Sequence, residues 1–504
     1  MNIVVGELVT RSARKFAKKE AVVFAEHRWN WQQIEEMSNA CAHALLDFGM
    51  KKGDKIALLM RNCDEFIIAY FGIIKMGGVA VPVNYKLAPP EIEYILNHSD
   101  SRMLFLEAEY LDAISQIENR ITGIEKKILA RGKQEEYPVL WDLIKSFPVD
   151  APQVEISPDD DADIIYTSGT TGKPKGALFT HQALIEVANL INIVMTMDEP
   201  DRILEVMPFF HSAPLHLLLL GGTYVSATHL VLSEFDPVAM LQMIQDEKAT
   251  QFFGAPVVFS TLAPTPLLQQ FDISSMRVWA YGGAPMPGEA VKKAMAAFGG
   301  EFCCLYGLTE AGPGGCVLKP AYHDWKAGSC GNQGHVNCEM RLINAEGNDV
   351  GTDEVGEIIL KSPGIMKEYY QNPEATAATL RDGWIYTGDL ATRDADGFYW
   401  IIDRKKDMII SGGENIYPKE VEDVLSLHPD IIEAAVIGIG DEKWGEIPLA
   451  VLHAAREISL EELTEFCSQH LAKYKIPKRI EYVDVLPRTA TGKVLKTELR
   501  RMWS

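Results

Sequence analysis

Apolar positions in the first third of the chain switch repeatedly between two periods. From 32 to 48, Ile34, Met37, Cys41, Ala44, Leu45 and Phe48 recur at three- and four-residue spacings before Gly49. That pattern predicts an amphipathic helix with a glycine stop. A short apolar run at 55–60 predicts a buried strand, 64–76 a helix ended by Gly77-Gly78, and 79–83 the next strand. The pair repeats as helix 90–98 and strand 102–106. The middle continues with strand 203–207, helix 237–247, strand 251–253, helix 288–298 and strand 302–305. Strand and helix in alternation predict parallel sheets covered by helices. The run at 217–220 reads as a buried helical segment.

After about Gly351 the pattern changes. Strands at 357–361 and 398–403, with tight turns at Asp382-Gly383 and Asp396-Gly397, predict a small β-barrel-like part. The polar run Asp403-Arg404-Lys405-Lys406-Asp407 separates two apolar strands, and a compact β/α pattern of about 100 residues follows, close to a minimal domain. The predicted architecture is therefore α/β, with a large domain over 1–403 and a small α+β domain over 404–504. Gly438-Ile439-Gly440 follows an apolar strand, but position 443 is Lys, so the third glycine of a dinucleotide fingerprint is missing and the segment reads as a turn.

Composition narrows the function classes. The 504 residues include 48 Lys or Arg and 70 Asp or Glu, a net charge of −22. Such an acidic balance argues against a nucleic-acid-coating surface while leaving room for a polyanionic small ligand held by a local basic cluster. One such reversal of sign exists: residues 473–504 carry nine Lys or Arg against three Asp or Glu. The first 20 residues lack the apolar core of a signal peptide, and no stretch of about 18 apolar residues suits a spanning helix. Peripheral membrane contact and oligomer formation stay open. The eight Cys include no Cys-x-x-Cys pair, which argues against zinc and for a reducing cytoplasmic setting.

The chemistry concentrates in Thr167-Ser168-Gly169-Thr170-Thr171-Gly172-Lys173-Pro174-Lys175-Gly176, which follows a strand end at 164–166. Glycines let the backbone approach a polyphosphate, hydroxyls donate to it, and lysines neutralise it. A Walker loop has four residues between Gly and Gly-Lys and a hydroxyl after the Lys; here two residues intervene and Pro174 follows, so phosphoryl transfer by a kinase-type loop is disfavoured. This loop resembles the signature of the acyl-adenylate-forming superfamily. Further motifs follow in that superfamily's order: Pro208-Phe209-Phe210-His211-Ser212, Gly282-Gly283-Ala284-Pro285, Tyr306-Gly307-Leu308-Thr309-Glu310, Tyr386-Thr387-Gly388-Asp389, Asp403 to Asp407, Ser411-Gly412-Gly413-Glu414-Asn415 and Pro487-Arg488-Thr489-Ala490-Thr491-Gly492-Lys493. The likeness spans nearly the whole chain and is nearest to fatty-acid–CoA ligases and their aryl-acid relatives.

The resemblance implies a two-step reaction: a carboxylate attacks the α-phosphate of ATP, giving acyl-AMP and pyrophosphate, and the thiol of CoA then displaces AMP. It implies that Glu310, with Thr167, holds Mg²⁺; that Thr309 bonds the α-phosphate; and that Lys493 bridges carboxylate and phosphate. Thr167 to Gly172, Lys173 and Lys175 would wrap the phosphates. Asp389, assisted by Arg404, would accept the ribose hydroxyls, while Tyr306, Gly307, Gly283, Ala284 and Pro285 would line the adenine. His211, an aromatic gate, would border the acyl pocket with Ala213, Gly254, Gly282, Gly283 and Leu308. Gly412 and Gly413 would line the CoA tunnel, and Lys406 would be the hinge.

Residues 208–220 contain no acidic side chain to pair an α-amine, so an apolar acid is favoured over an amino acid. A medium- or long-chain fatty acid leads; an aryl or alicyclic acid, or loading of a carrier protein, are the alternatives. The hinge expectation is directly testable. Lys406→Pro should slow thioester formation from acyl-AMP more than adenylation in separate half-reaction assays, because only the former needs domain rotation. Equal losses would rule the hinge out.

Overall fold

The computed structural model describes residues 3–167, 173–332, 334–412, 414–441, 443–488 and 493–503. These residues form four sheets. In the first, the strands run in the spatial order Glu368–Tyr369, Lys175–Thr180, Asp161–Thr167, Val79–Pro82, Lys55–Leu59, Ser101–Glu107 and Lys126–Arg131. In the second the order is Gly315–Leu318, Glu301–Gly307, Val278–Gly282, Gln251–Gly254, Arg202–Glu205, Thr228–Val231, Glu20–Phe24 and His27–Asn30. The inner strands of both are parallel, as the alternating pattern predicts. Antiparallel pairing lies toward the edges, where short connections replace helical crossovers in three pairs and the distant strand Glu368–Tyr369 adds onto Lys175–Thr180. Strands Val79–Pro82 and Val278–Gly282 are buried at every position, which explains why 79–83 reads as a continuous apolar run; the strand at 278–282 was not among those expected.

Two helices tie these sheets together. Trp31–Asp47 begins with a capping box: Asn30 accepts from Gln33 N at 2.9 Å, and the Gln33 side chain returns a bond of 2.9 Å to Asn30 N. Asp64–Lys75 is buried along its whole length and touches strands of both sheets, so it forms part of the layer between them. Its one buried ammonium, Lys75, is matched by Glu35 and Asn39 on the neighbouring helix.

The expected β-rich part is a five-stranded, antiparallel sheet built from Glu339–Ile343, Gly356–Lys361, Trp384–Arg393, Leu380–Arg381 and Tyr399–Arg404. The chain leaves that sheet at Arg404 and enters the fourth sheet at Ile409–Ser411. The fourth sheet, with helices Pro418–Leu425, Leu460–Ser468 and Lys496–Trp503, makes a small α+β domain with its own apolar core. One local expectation fails here. Gly438-Ile439-Gly440 is not a turn but the continuation of strand Ile431–Asp441, paired residue for residue with Gly445–Ala454. The Ile437 and Ile439 side chains are both buried on one face, and that alternation outweighs the weak strand preference of glycine. All eight cysteines are free. Among the described residues no helix is long and apolar enough to cross a membrane.

Candidate active site

The phosphate loop joins two antiparallel strands. Thr167 pairs with Lys175, so the loop leaves and re-enters the sheet at one point. Pro174 is followed by a strand, not by the helix of a Walker loop. Ser168, Gly169, Thr170, Thr171 and Gly172 lie outside the described residues. Lys173 is exposed, with its Nζ 5.2 Å from the centre of the Tyr94 ring, and the Tyr94 hydroxyl donates to the Pro174 carbonyl at 3.2 Å. Lys175 stands 4.8 Å over the ring of Tyr369.

Three neighbouring parallel strands of the second sheet end in glycine. Gln251–Gly254 ends at Gly254, Val278–Gly282 at Gly282 and Glu301–Gly307 at Gly307. The carboxyl ends of parallel strands are where open α/β sheets bind ligands. Gly307 is required by the turn that follows: a Cβ there would lie 2.0 Å from the Pro313 carbonyl oxygen. That close turn delivers Leu308 and the short helix Thr309–Ala311, with Thr309 and Glu310 half-buried. Gly283 and Pro285 are exposed just past the middle strand and Ala284 is half-buried between them.

The side chains then converge. The Tyr306 hydroxyl donates to Asp389 Oδ2 at 2.7 Å, and Arg404 pairs with Asp389 Oδ1, so both oxygens of this buried carboxylate are engaged. Ser212 Oγ and Thr309 Oγ1 share a hydrogen bond of 3.1 Å. The Tyr369 hydroxyl donates to Glu310 Oε1 at 2.5 Å. A carboxylate with a hydroxyl-bearing Thr nearby in the motif is an oxygen-only donor set, which suits a hard cation such as Mg²⁺ that keeps several waters.

Lys493 comes from the small domain. Desolvation, followed by the positive field of Arg404, lowers its pKa. Asp389 and Glu310 act in the opposite sense, and Lys406 again lowers it. The fields of both carboxylates of the large domain thus reach Lys493. It also bears on His211, whose imidazole is pushed down to about 3, first by burial and then by Lys493 and Lys86. His211 Nε2 is buried without a hydrogen-bond partner among the described residues, and the ring leans on Phe210 at 4.3 Å. A neutral imidazole this acidic is a poor general base at neutral pH.

Other predicted residues take separate places. Ala213 begins the helical segment after His211 and is half-buried. Lys406 lies in the turn between the third and fourth sheets, where desolvation, and then Arg404 and Arg500, lower its pKa. Gly412 adopts a φ of +59° and its N–H donates to the Trp444 carbonyl at 2.7 Å; Gly413 lies outside the described residues. Outside the cleft, His428, Asp430 and Glu462 also gather, but Arg456 bonds both carboxylates and already supplies the cation there.

Sequence reasoning missed Tyr369 and Ser212. Tyr369 reaches Glu310 from an edge strand that pairs with Lys175–Thr180, a partnership across 59 residues that no local period encodes.

This arrangement defines a two-domain nucleotide-binding enzyme, and the comparisons agree. Residues 9–370 match the AMP-binding enzyme family and residues 420–493 match the AMP-binding enzyme C-terminal domain. The chain belongs to the AMP-binding enzyme family, and it is an ATP- and AMP-binding ligase of the acyl-CoA synthetase kind. It is 36% identical over 483 residues to a long-chain-fatty-acid–CoA ligase, FadD13, of Mycobacterium tuberculosis, covering 95% of this chain and 93% of the relative. It is also 36% identical over 501 residues to a feruloyl-CoA synthase of an Amycolatopsis species, covering 98% of each. The crystal structure of the anthranilate CoA ligase AuaEII with anthranoyl-AMP superposes with a TM-score of 0.91 at 29% identity, over 99% of this chain and 97% of that one.

Tyr369→Phe removes a hydrogen bond to a charged group. It should lower kcat/KM for Mg-ATP about tenfold while the KM for the acid stays within about twofold. Steady-state kinetics with each substrate varied in turn would show this; an unchanged Mg-ATP dependence would mean Tyr369 does not orient Glu310.

Proposed function

We propose that this ligase activates an apolar carboxylic acid, a medium- or long-chain fatty acid, as acyl-AMP and transfers the acyl group to CoA. The observation that carries this reading is the wall after His211: Pro214 to Leu220 are buried, no acidic side chain stands between 208 and 220, and the imidazole at its head is neutral. An apolar tail is accommodated there without leaving a buried charge unpaired.

In the proposed first step the acid's carboxylate oxygen attacks the α-phosphorus and pyrophosphate leaves. Lys493 offsets the charge of both anions and Thr309 donates to the α-phosphate; Glu310 with Thr167 would hold Mg²⁺, which would neutralise phosphate charge. The phosphate loop from Thr167 to Lys175 wraps the leaving group. Asp389 and Arg404 fix the ribose, and Tyr306, Gly307 and Gly283 to Pro285 form the adenine edge. Gly254, Gly282 and Leu308 complete the acid pocket, with His211 as its gate and not as a base. In the second step the small domain, which we take to begin at Arg404, turns about Lys406. That rotation withdraws Lys493 and brings Gly412-Gly413 to the CoA tunnel. Free thiols throughout favour a reducing cytoplasmic setting.

An aryl acid is the second reading. It is favoured by the equal identity to the feruloyl-CoA synthase and by the fit to the anthranoyl-AMP complex. AMP release with Mg-ATP and CoA across fatty acids from acetate to stearate, benzoate and cinnamates separates the two. Highest kcat/KM on octanoate or longer supports the fatty-acid reading, and a preference for benzoate or cinnamate overturns it. Lys493→Ala should cut adenylation by about 10²–10³. Thioester formation from preformed acyl-AMP should be spared, and equal loss in both halves would refute the role.

A further inference from the structure

The helix walling the acid side has an unusual register. Ala213–Leu220 follows the five-residue hydrogen-bond spacing of a π-helix before ordinary α-helix resumes at Gly221–Val225. Wide turns of this kind are mostly single-turn bulges inside α-helices, and they occur frequently at functional sites. Here the wide register persists for eight residues. It therefore needs support from outside the helix.

That support comes from a buried polar cluster. His216 Nε2 donates to Asp163 Oδ2 at 2.9 Å, and the Tyr70 hydroxyl donates to the same oxygen at 3.0 Å. His216, Asp163 and Tyr70 are all 0% exposed. Thr223 Oγ1 takes up the Leu219 carbonyl at 2.7 Å, satisfying an acceptor near the return to α-helix. Asp163 Oδ1 and His216 Nδ1 have no hydrogen-bond partner among the described residues, so the cluster is an expensive way to fill a core otherwise lined with leucine. Its value lies in position. Asp163 belongs to strand Asp161–Thr167, which carries the start of the phosphate loop. At the other end of the wall, Ser212 Oγ bonds Thr309 beside Glu310. Within the wide segment Ala213 is the residue left half-buried at the cleft, while Pro214 to Leu220 are enclosed.

We propose that His216 is a specificity-positioning residue. Its bond to Asp163 locks residues 213–220 in the wide register, and that register fixes where Ser212 and Ala213 stand at the mouth of the acid pocket. An α-helical register would draw the same residues into narrower turns and re-aim the side chains along the wall. The acid preference then changes while Tyr306, Asp389 and Arg404, held by strands Glu301–Gly307, Trp384–Arg393 and Tyr399–Arg404, stay in place. This rests on the reading that the acid lies against the wall after His211.

The test compares wild type, His216→Leu and His216→Gln by kcat/KM for butyrate, octanoate, palmitate, benzoate and cinnamate, with KM for ATP measured alongside. His216→Leu should change the ratio of kcat/KM between the best acid and its longer or shorter neighbour about tenfold, the scale on which a misplaced methylene is felt. The KM for ATP should stay within about twofold. His216→Gln keeps an N–H for Asp163 and should return the ratio toward wild type. Uniform loss on every acid, or an unchanged ratio in folded His216→Leu, overturns the proposal. If His216→Leu does not fold, Tyr70→Phe removes the second donor to the same Asp163 oxygen and should move the ratio in a smaller but measurable way; no movement overturns the proposal equally. A wild type active only on aryl acids defeats the fatty-acid reading, and the benzoate-to-cinnamate ratio then still decides the role of His216.

Discussion

Two anions cannot be brought to bonding distance unless positive charge is held between them, and the molecule is arranged around that constraint. Asp389 is pinned by Arg404 and Tyr306, and Glu310 by Tyr369, so both carboxylates are fixed on the large domain. Lys493 arrives from the small domain into their field. Arg404, Lys406 and Lys493 then crowd one another, and burial together with mutual repulsion lowers the pKa of the two lysines. In the proposed cycle the phosphates of ATP relieve that crowding, so ligand and closed arrangement stabilise each other.

The acid side works by the opposite chemistry. On the side we propose for the acid, residues 212–220 carry no Asp, Glu, Lys or Arg, and burial keeps the His211 imidazole neutral. The two halves are nevertheless connected. Strand Asp161–Thr167 carries the loop at its end and the buried Asp163 within it, and Asp163 bonds His216 of the wide helix, which in our proposal walls the acid pocket. Ser212 and Thr309 close the connection on the nucleotide side. An overall charge of −22 is compatible with a polyanionic ligand because the cations that matter are few and local.

Much of the architecture was legible in the linear pattern. The helix expected over 32–48 is Trp31–Asp47, and the strands expected at 79–83 and 302–305 are Val79–Pro82 and Glu301–Gly307. Burial on one stripe or on both faces leaves a period in the sequence. The proline after Lys173 likewise argued against a Walker loop, and a strand follows it. Where a side-chain alternation and a turn residue competed, as at Gly438 to Gly440, the buried alternation prevailed.

The chain by itself thus determined its element types, its parallel inner strands and, through ordered motifs, its chemical class, because periodicity and turn chemistry are local properties. Tertiary structure alone decided that Tyr369 holds Glu310, that Lys493 reaches the large domain's carboxylates, and that residues 213–220 wind wide around His216 instead of forming an ordinary buried helix. Those partners lie tens to hundreds of residues apart. Their meeting depends on how sheets and domains close on each other, and packing geometry of that kind leaves no repeating mark along the chain.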